Sequence, residues 1–116
     1  MTQAWVILTG VDGRTIYSPS EQQLASALDR VFAAQASDHD GDPPAASLRF
    51  GYDDGLMYVI EVNSEGELRF EEWSDRDCEI ALAPARHMHA DRARAELLWT
   101  ALAQRQVARI REQAWT

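Results

Sequence analysis

Residues 47–73 read SLRFGYDDGLMYVIEVNSEGELRFEEW, and apolar side chains recur there at nearly every second position. A period of two is typical of strands that bury one face. Asp54-Gly55 and the segment Asn63–Gly66 interrupt the pattern, and both contain residues that favour tight turns. The stretch therefore predicts three antiparallel strands joined as a meander. The predicted buried face comprises Leu48, Phe50, Tyr52, Leu56, Tyr58, Ile60, Val62, Leu68 and Phe70.

Trp73 does not fit this buried face, because it has the parity of Arg69 and Glu71 rather than that of Phe70. Two explanations are open. Either a bulge at Glu71-Glu72 shifts the alternation by one residue, or Trp73 faces away from the core.

The residues before the meander predict a hairpin. Trp5–Thr9 is a short β-branched run that reads as a strand buried on both faces, and Asp12-Gly13 suits a type I′ turn. Thr15–Tyr17 would return as a second, shorter strand.

A helix start follows the hairpin. We expect Ser18 to be the N-cap, Pro19 the first helical residue and Glu21 the partner that completes a capping box. The helix would end near Gln35, and its apolar face would contain Leu24, Leu28, Val31 and Phe32.

The C-terminal part predicts one more strand and a long helix. The strand is expected from Cys78 to Ala83, ended by Pro84, and the helix from Ala90 to Ala114, about 25 residues. We therefore expect a single α+β domain over residues 1–116. It would be an antiparallel meander of about four to six strands with a capped N-terminal helix, and the long C-terminal helix would pack on one face.

Composition excludes several function classes. The 116 residues include nineteen acids and eleven basic residues, all of them arginine, which gives a net charge of −8. A duplex-DNA or RNA binder needs a basic surface, and Schiff-base or P-loop chemistry needs a lysine. One cysteine, Cys78, forms no intrachain disulfide. No signal peptide or membrane-spanning apolar run is present, so we expect a cytoplasmic protein.

Two segments resemble metal sites without completing one. Residues 38–42, DHDGD, lack the glycine and the glutamate that an EF-hand requires at its sixth and twelfth positions. His87, His89 and Asp91 alternate as ligands on a strand can, but we expect a turn there, with His89 or Asp91 capping the next helix.

No catalytic arrangement stands out either. A Gly-x-Ser-x-Gly elbow is absent, and Cys78 is more typical of a small buried hydrophobe than of a dyad with His87 or His89. We expect a protein that is not an enzyme and that uses no cofactor or metal.

The open face of the sheet is the candidate binding surface. Residues 38–79 contain thirteen acids and three arginines, a net charge of −10. An aromatic anchor among carboxylates is the composition expected of an interface for a basic partner. The candidate contact residues are Glu61, Arg69, Glu71, Glu72, Trp73, Asp75 and Asp77.

The layout resembles a class of bacterial proteins. The helix start Ser18–Glu21, the meander strands Leu48–Tyr52 and Leu56–Val62 and the Glu-Trp segment after them are similar to immunity proteins encoded beside polymorphic or contact-dependent toxins. The predicted long C-terminal helix, together with the terminal segment Arg109–Trp115, is not matched in that class. The resemblance implies a non-catalytic inhibitor that occludes the active site of a basic toxin domain, and it assigns no individual residue a role.

Two other functions stay open. The same acidic meander suits an inhibitor of mobile-element origin that mimics nucleic acid and blocks a host defence complex. Alternatively, the chain is a small homodimeric adaptor whose partner surface is the C-terminal helix.

Overall fold

The computed structural model describes residues 4–33, 44–52, 55–74, 80–113 and 115. They form a six-stranded antiparallel sheet with three helices, an α+β fold as predicted. In chain order the elements are β1 (Ala4–Thr9), β2 (Thr15–Tyr17), α1 (Glu21–Ala33), β3 (Ala45–Tyr52), β4 (Met57–Asn63), β5 (Glu67–Trp73), β6 (Arg86–His89), α2 (Arg92–Ala103) and α3 (Val107–Arg111).

The sheet order is β2-β1-β3-β4-β5-β6, so the predicted meander occupies its centre. Leu48 pairs with Ile60, and Ile60 pairs with Phe70, which places the alternating apolar residues in one row as expected. β1 extends this row, because Leu8 lies opposite Leu48. The predicted hairpin of β1 and β2 is confirmed, but its turn is not the expected type I′, because Asp12 lacks the positive φ that this turn requires.

One face of the sheet, here called the inner face, is covered by α1 and α2, which both contact β3 and β4. Trp99 of α2 is fully buried, and its indole nitrogen donates a hydrogen bond to the Ile60 carbonyl at 3.1 Å. The opposite face, here called the outer face, has no described helix on it. The outer face is therefore the side of the sheet on which a binding site for a partner can form.

The start of α1 differs from the expectation by two residues. Ser20 is the capping residue, because its hydroxyl accepts from the Gln23 amide at 3.2 Å while the Gln23 side chain accepts from the Ser20 amide at 2.9 Å. Ser18 instead adopts a positive φ of 52° in the turn before the helix. Ser20 and Gln23 form a capping box of their own, which satisfies amides that the helix leaves unpaired. The expected end near Gln35 lies outside the described residues.

The expectation that β1 is buried on both faces was wrong. Leu8 is the buried residue of this strand, and Trp5 and Ile7 are only half-buried on the outer face. Val6 on the inner face is incompletely buried as well, so neither face of β1 is fully covered along its length.

A single long C-terminal helix is not formed. α2 ends at Ala103, because Arg105 adopts a left-handed φ of 64° and the Gln106 amide donates back to the Ala101 carbonyl at 2.8 Å. This arrangement, together with the bond from the Arg105 amide to Leu102, is a Schellman ending. It turns the chain so that Ile110 of α3 enters the core.

The last strand lies later in the chain than the expected Cys78–Ala83. β6 spans Arg86–His89, while Ala81 forms only an isolated bridge with Trp73. The apolar residues Ile80 and Leu82, which suggested a buried strand, are exposed. Cys78 lies outside the described residues.

Candidate protein-binding face of the sheet

The outer face brings together four of the seven predicted contact residues. Glu61 lies opposite Arg69, and Glu71 is two residues further along β5. Trp73 lies opposite Met57 in unbroken register, so no bulge is present and Trp73 faces away from the core. The second of the two explanations for its parity is therefore correct.

Arg69 holds both neighbouring carboxylates. Its guanidinium lies 3.3 Å from Glu61 Oε2 and 3.1 Å from Glu71 Oε1. The three side chains are partly exposed, so these ion pairs contribute little to stability, about 0–1 kcal/mol each. These ion pairs instead affect the surface of the outer face, because Arg69 orients the two carboxylates and its positive charge reduces their combined charge from −2 to −1.

Glu72, another predicted contact residue, is not on the outer face. Its side chain is 4% exposed on the inner face, where it is bound by Arg86 Nη1 at 2.5 Å and by Arg111 Nε at 3.0 Å. We call Glu72, Arg86 and Arg111 the ion triad. Because every second residue of β5 points inward, Glu72 follows Phe70 into the core, and the expectation that it lies on the open face with the other contact residues was wrong for this physical reason.

The ion triad also sets the charge of Glu72. Burial alone would raise the pKa of its carboxyl, but hydrogen bonds from Arg111 and Arg86 outweigh that effect, and the pKa lies below its ordinary value. The triad ties α3 to the sheet beside Phe70, on which the Trp115 ring stacks at 5.6 Å. Glu72 therefore stabilises the packing of α3 on the sheet. The remaining predicted contacts, Asp75 and Asp77, lie outside the described residues.

An aromatic row crosses the outer face, and Trp73 is its one member among the predicted contact residues. Trp5, Gly51, Met57 and Trp73 lie side by side on four neighbouring strands. The Trp5 ring lies against Gly51, where an added Cβ would come within 2.3 Å of Trp5 Cζ2. Met57 is 1% exposed, whereas both tryptophans are half-buried. Their indole nitrogens are buried and have no hydrogen-bond partner within the described part of the chain.

A groove lies beside this aromatic row at the β2 end of the sheet. Its volume is about 410 Å³, and Tyr17 on its edge is 74% exposed. Its lining consists of Trp5, Ile7, Thr9, Thr15, Tyr17, Arg49 and Met57. The signal that could have revealed it is the alternation of Trp5, Ile7 and Thr9, which the apolar character of the whole strand obscured.

The histidine segment is a strand rather than the expected turn. His87 and His89 lie on the outer face opposite Arg69 and Glu67. Asp91 is the helix cap, since its carboxylate accepts from the Arg94 amide at 2.9 Å, which confirms one of the two predicted capping residues. Among residues 4–33, 44–52, 55–74, 80–113 and 115, no three potential metal ligands cluster.

Comparisons with known proteins give no relative: no family model, no curated protein and no solved structure matches the chain. Within its described part, the chain has no helix with the length and apolar character needed to cross a membrane.

Proposed function

We propose that this chain is a non-catalytic binding protein and that it acts as the immunity protein of a bacterial toxin. It binds a basic toxin domain through the outer face of the sheet and thereby occludes the active site of that domain. The observation that carries the proposal is the aromatic row beside the Arg69-held carboxylates, on the face that no described helix covers.

Surface chemistry supports a protein partner. Tryptophan, tyrosine and arginine are the residues that most often dominate binding energy at interfaces. The outer face presents Trp5, Trp73, Tyr17 and Arg49 on strands of one hydrogen-bonded sheet, so strand pairing sets the backbone positions of these residues. A preorganised face loses less conformational entropy when a partner docks.

Charge supports a basic partner. The chain carries a net charge of −8, and such a field attracts a basic domain over distances longer than a direct contact. Glu61 and Glu71 are ion-paired with Arg69 but partly exposed, so their carboxylates remain accessible to arginines or lysines of the partner. We therefore expect the association rate to fall as salt screens the attraction.

The test is capture of the partner followed by an inhibition assay. The full chain is tagged and expressed in the bacterium that encodes it, and bound proteins are recovered at low and at moderate salt. We expect one basic domain, released as salt rises. The purified domain should be toxic to cells and lose its activity when one equivalent of this chain is added.

Other outcomes would reject the proposal. A large defence or regulatory complex on the tag would favour the nucleic-acid mimic instead. A captured domain that stays active with the chain bound would contradict occlusion. Recovery of the chain alone, as a dimer by light scattering, would favour the adaptor.

A further inference from the structure

Arg49 is placed differently from Arg69, the other described arginine of the outer face. It lies in β3 opposite Ile7 on one side and Val59 on the other, and Ile7 in turn lies opposite Tyr17. Its side chain is exposed among these apolar neighbours. The cation is therefore on the lining of the groove rather than among the acids.

The acids of the described outer face are already engaged elsewhere. Glu61 and Glu71 are ion-paired with Arg69, and Glu67 accepts a hydrogen bond from Asn63 Nδ2 at 3.3 Å. Arg49 forms no ion pair or side-chain hydrogen bond with any residue in the described part of the chain. Its guanidinium has five donors available in a planar fork, the geometry that a carboxylate matches.

The groove provides an apolar surface next to the positive charge of Arg49. Trp5, Ile7 and Met57 form apolar lining, and Thr9 and Thr15 add hydroxyl groups. Its volume of about 410 Å³ leaves room for a single large side chain in a groove that is open to solvent on one side. An apolar group in the groove would lie against Trp5 while an attached carboxylate lies at Arg49.

We propose that this groove binds an apolar side chain of the partner that has a carboxylate next to it, and that Arg49 binds the carboxylate. The inference rests on the proposed function, since it names the chemistry of the partner segment that enters the binding face. A basic toxin domain still carries carboxylates, and one of them fits here while its basic residues meet Glu61 and Glu71. Arg49 is thereby a specificity-determining residue of the face.

The test uses a small probe and does not need the partner. The ¹⁵N-labelled full chain is titrated with N-acetyl-phenylalanine, which has a free carboxylate, and separately with N-acetyl-phenylalanine amide, which does not. We expect the acid to shift the Trp5 indole signal and the backbone signals of Ile7, Tyr17 and Arg49. The amide should bind at least about threefold more weakly, as expected for the loss of one exposed ion pair.

Two variants complete the design. Arg49→Gln should bind the acid and the amide equally, and Arg109→Gln, a matched change on α3, should retain the preference for the acid. The spectrum of each variant shows whether it is folded. Equal binding of the two probes to the unchanged protein, shifts that lie outside the groove, or no shifts at all would overturn the inference.

The two proposals can fail separately. If the probe binds as expected but capture recovers no toxin, the groove is a site for apolar carboxylates on a protein of another function. If a toxin is captured and neutralised but the probe shows no preference for the acid, the immunity function stands and the role of Arg49 is rejected.

Discussion

The two faces of the sheet hold their tryptophans differently. On the inner face Trp99 is fully buried, and its indole donates to the Ile60 carbonyl. On the outer face Trp5 and Trp73 are half-buried, and neither indole has an acceptor among the described residues. The same residue type thus completes a core on one side and leaves apolar surface accessible on the other, which is the difference expected between a stabilising face and a binding face.

Trp99→Ala should have the largest effect on stability. Removing a fully buried indole leaves a cavity between α2 and the sheet, and we expect a loss of about 3–5 kcal/mol in the free energy of unfolding. Urea unfolding followed by circular dichroism measures it. A loss below about 1 kcal/mol would mean that the inner face is not the main source of stability.

Gly51→Ala tests how tightly the aromatic row is built. The added Cβ would lie 2.3 Å from Trp5 Cζ2 and 2.8 Å from the Leu56 carbonyl oxygen, so we expect a destabilisation of about 1–3 kcal/mol. The same substitution in a Trp5→Ala background should cost less, because only the clash with the backbone remains. Equal costs in the two backgrounds would show that Trp5 does not pack on Gly51.

Glu72→Gln tests whether the ion triad is structural. We expect a loss of about 1–2 kcal/mol at neutral pH, less than for a fully buried pair because Arg86 and Arg111 are partly exposed. Because the pKa of Glu72 is lower in the folded protein than its ordinary value near 4.5, the ionised carboxylate stabilises the fold at pH values above 4.5. This stabilisation is lost as the pH falls through the lower pKa of the folded state.

The free energy of unfolding, measured by urea unfolding at a series of acidic pH values, should therefore decrease less steeply with falling pH for Glu72→Gln than for the unchanged protein. Glu61→Gln, on the outer face, is the control and should lose less stability at neutral pH, because its ion pair with Arg69 is exposed. If the two variants behave alike, the triad does not secure α3.

Arg69→Ala should have the smallest effect on stability, about 0–1 kcal/mol, because its ion pairs are exposed. It does, however, release two carboxylates and makes the outer face more negative by one charge. Association with a basic partner should then become faster at low salt and more sensitive to salt, as stopped-flow mixing would show. Slower association at every salt concentration would indicate that Arg69 itself contacts the partner.

The three central strands could be predicted from the sequence, because each strand shows its buried face in the alternation of its own residues. Alternation between Leu48 and Phe70 determines which face is buried, and the observed register follows it. The same parity places Trp73 with Arg69 and Glu71 on the outer face and Glu72 on the inner face, so the alternation itself conflicts with the expectation that Glu72 lies on the open face.

Other features depend on information that the local pattern does not contain. Arg105 ends α2 in a conformation for which glycine is the usual signal, and the capping box of α1 forms at Ser20 and Gln23 rather than at the expected Ser18 and Glu21. β6 is four residues of mainly polar character, and pairing with β5 rather than propensity makes it a strand. The groove joins β1, β2, β3 and β4, so it exists only once the strands are ordered.

The most direct measurement compares partner binding by Trp73→Ala and Leu97→Ala. Leu97 is the matched control, because it is an exposed apolar residue, 52% accessible, on the helical side. With the captured toxin domain immobilised, we expect Trp73→Ala to weaken binding at least about tenfold, the cost of an interface anchor, and Leu97→Ala to leave it unchanged. Loss of binding in Leu97→Ala with full binding in Trp73→Ala would show that the helical side, and not the outer face of the sheet, contacts the partner.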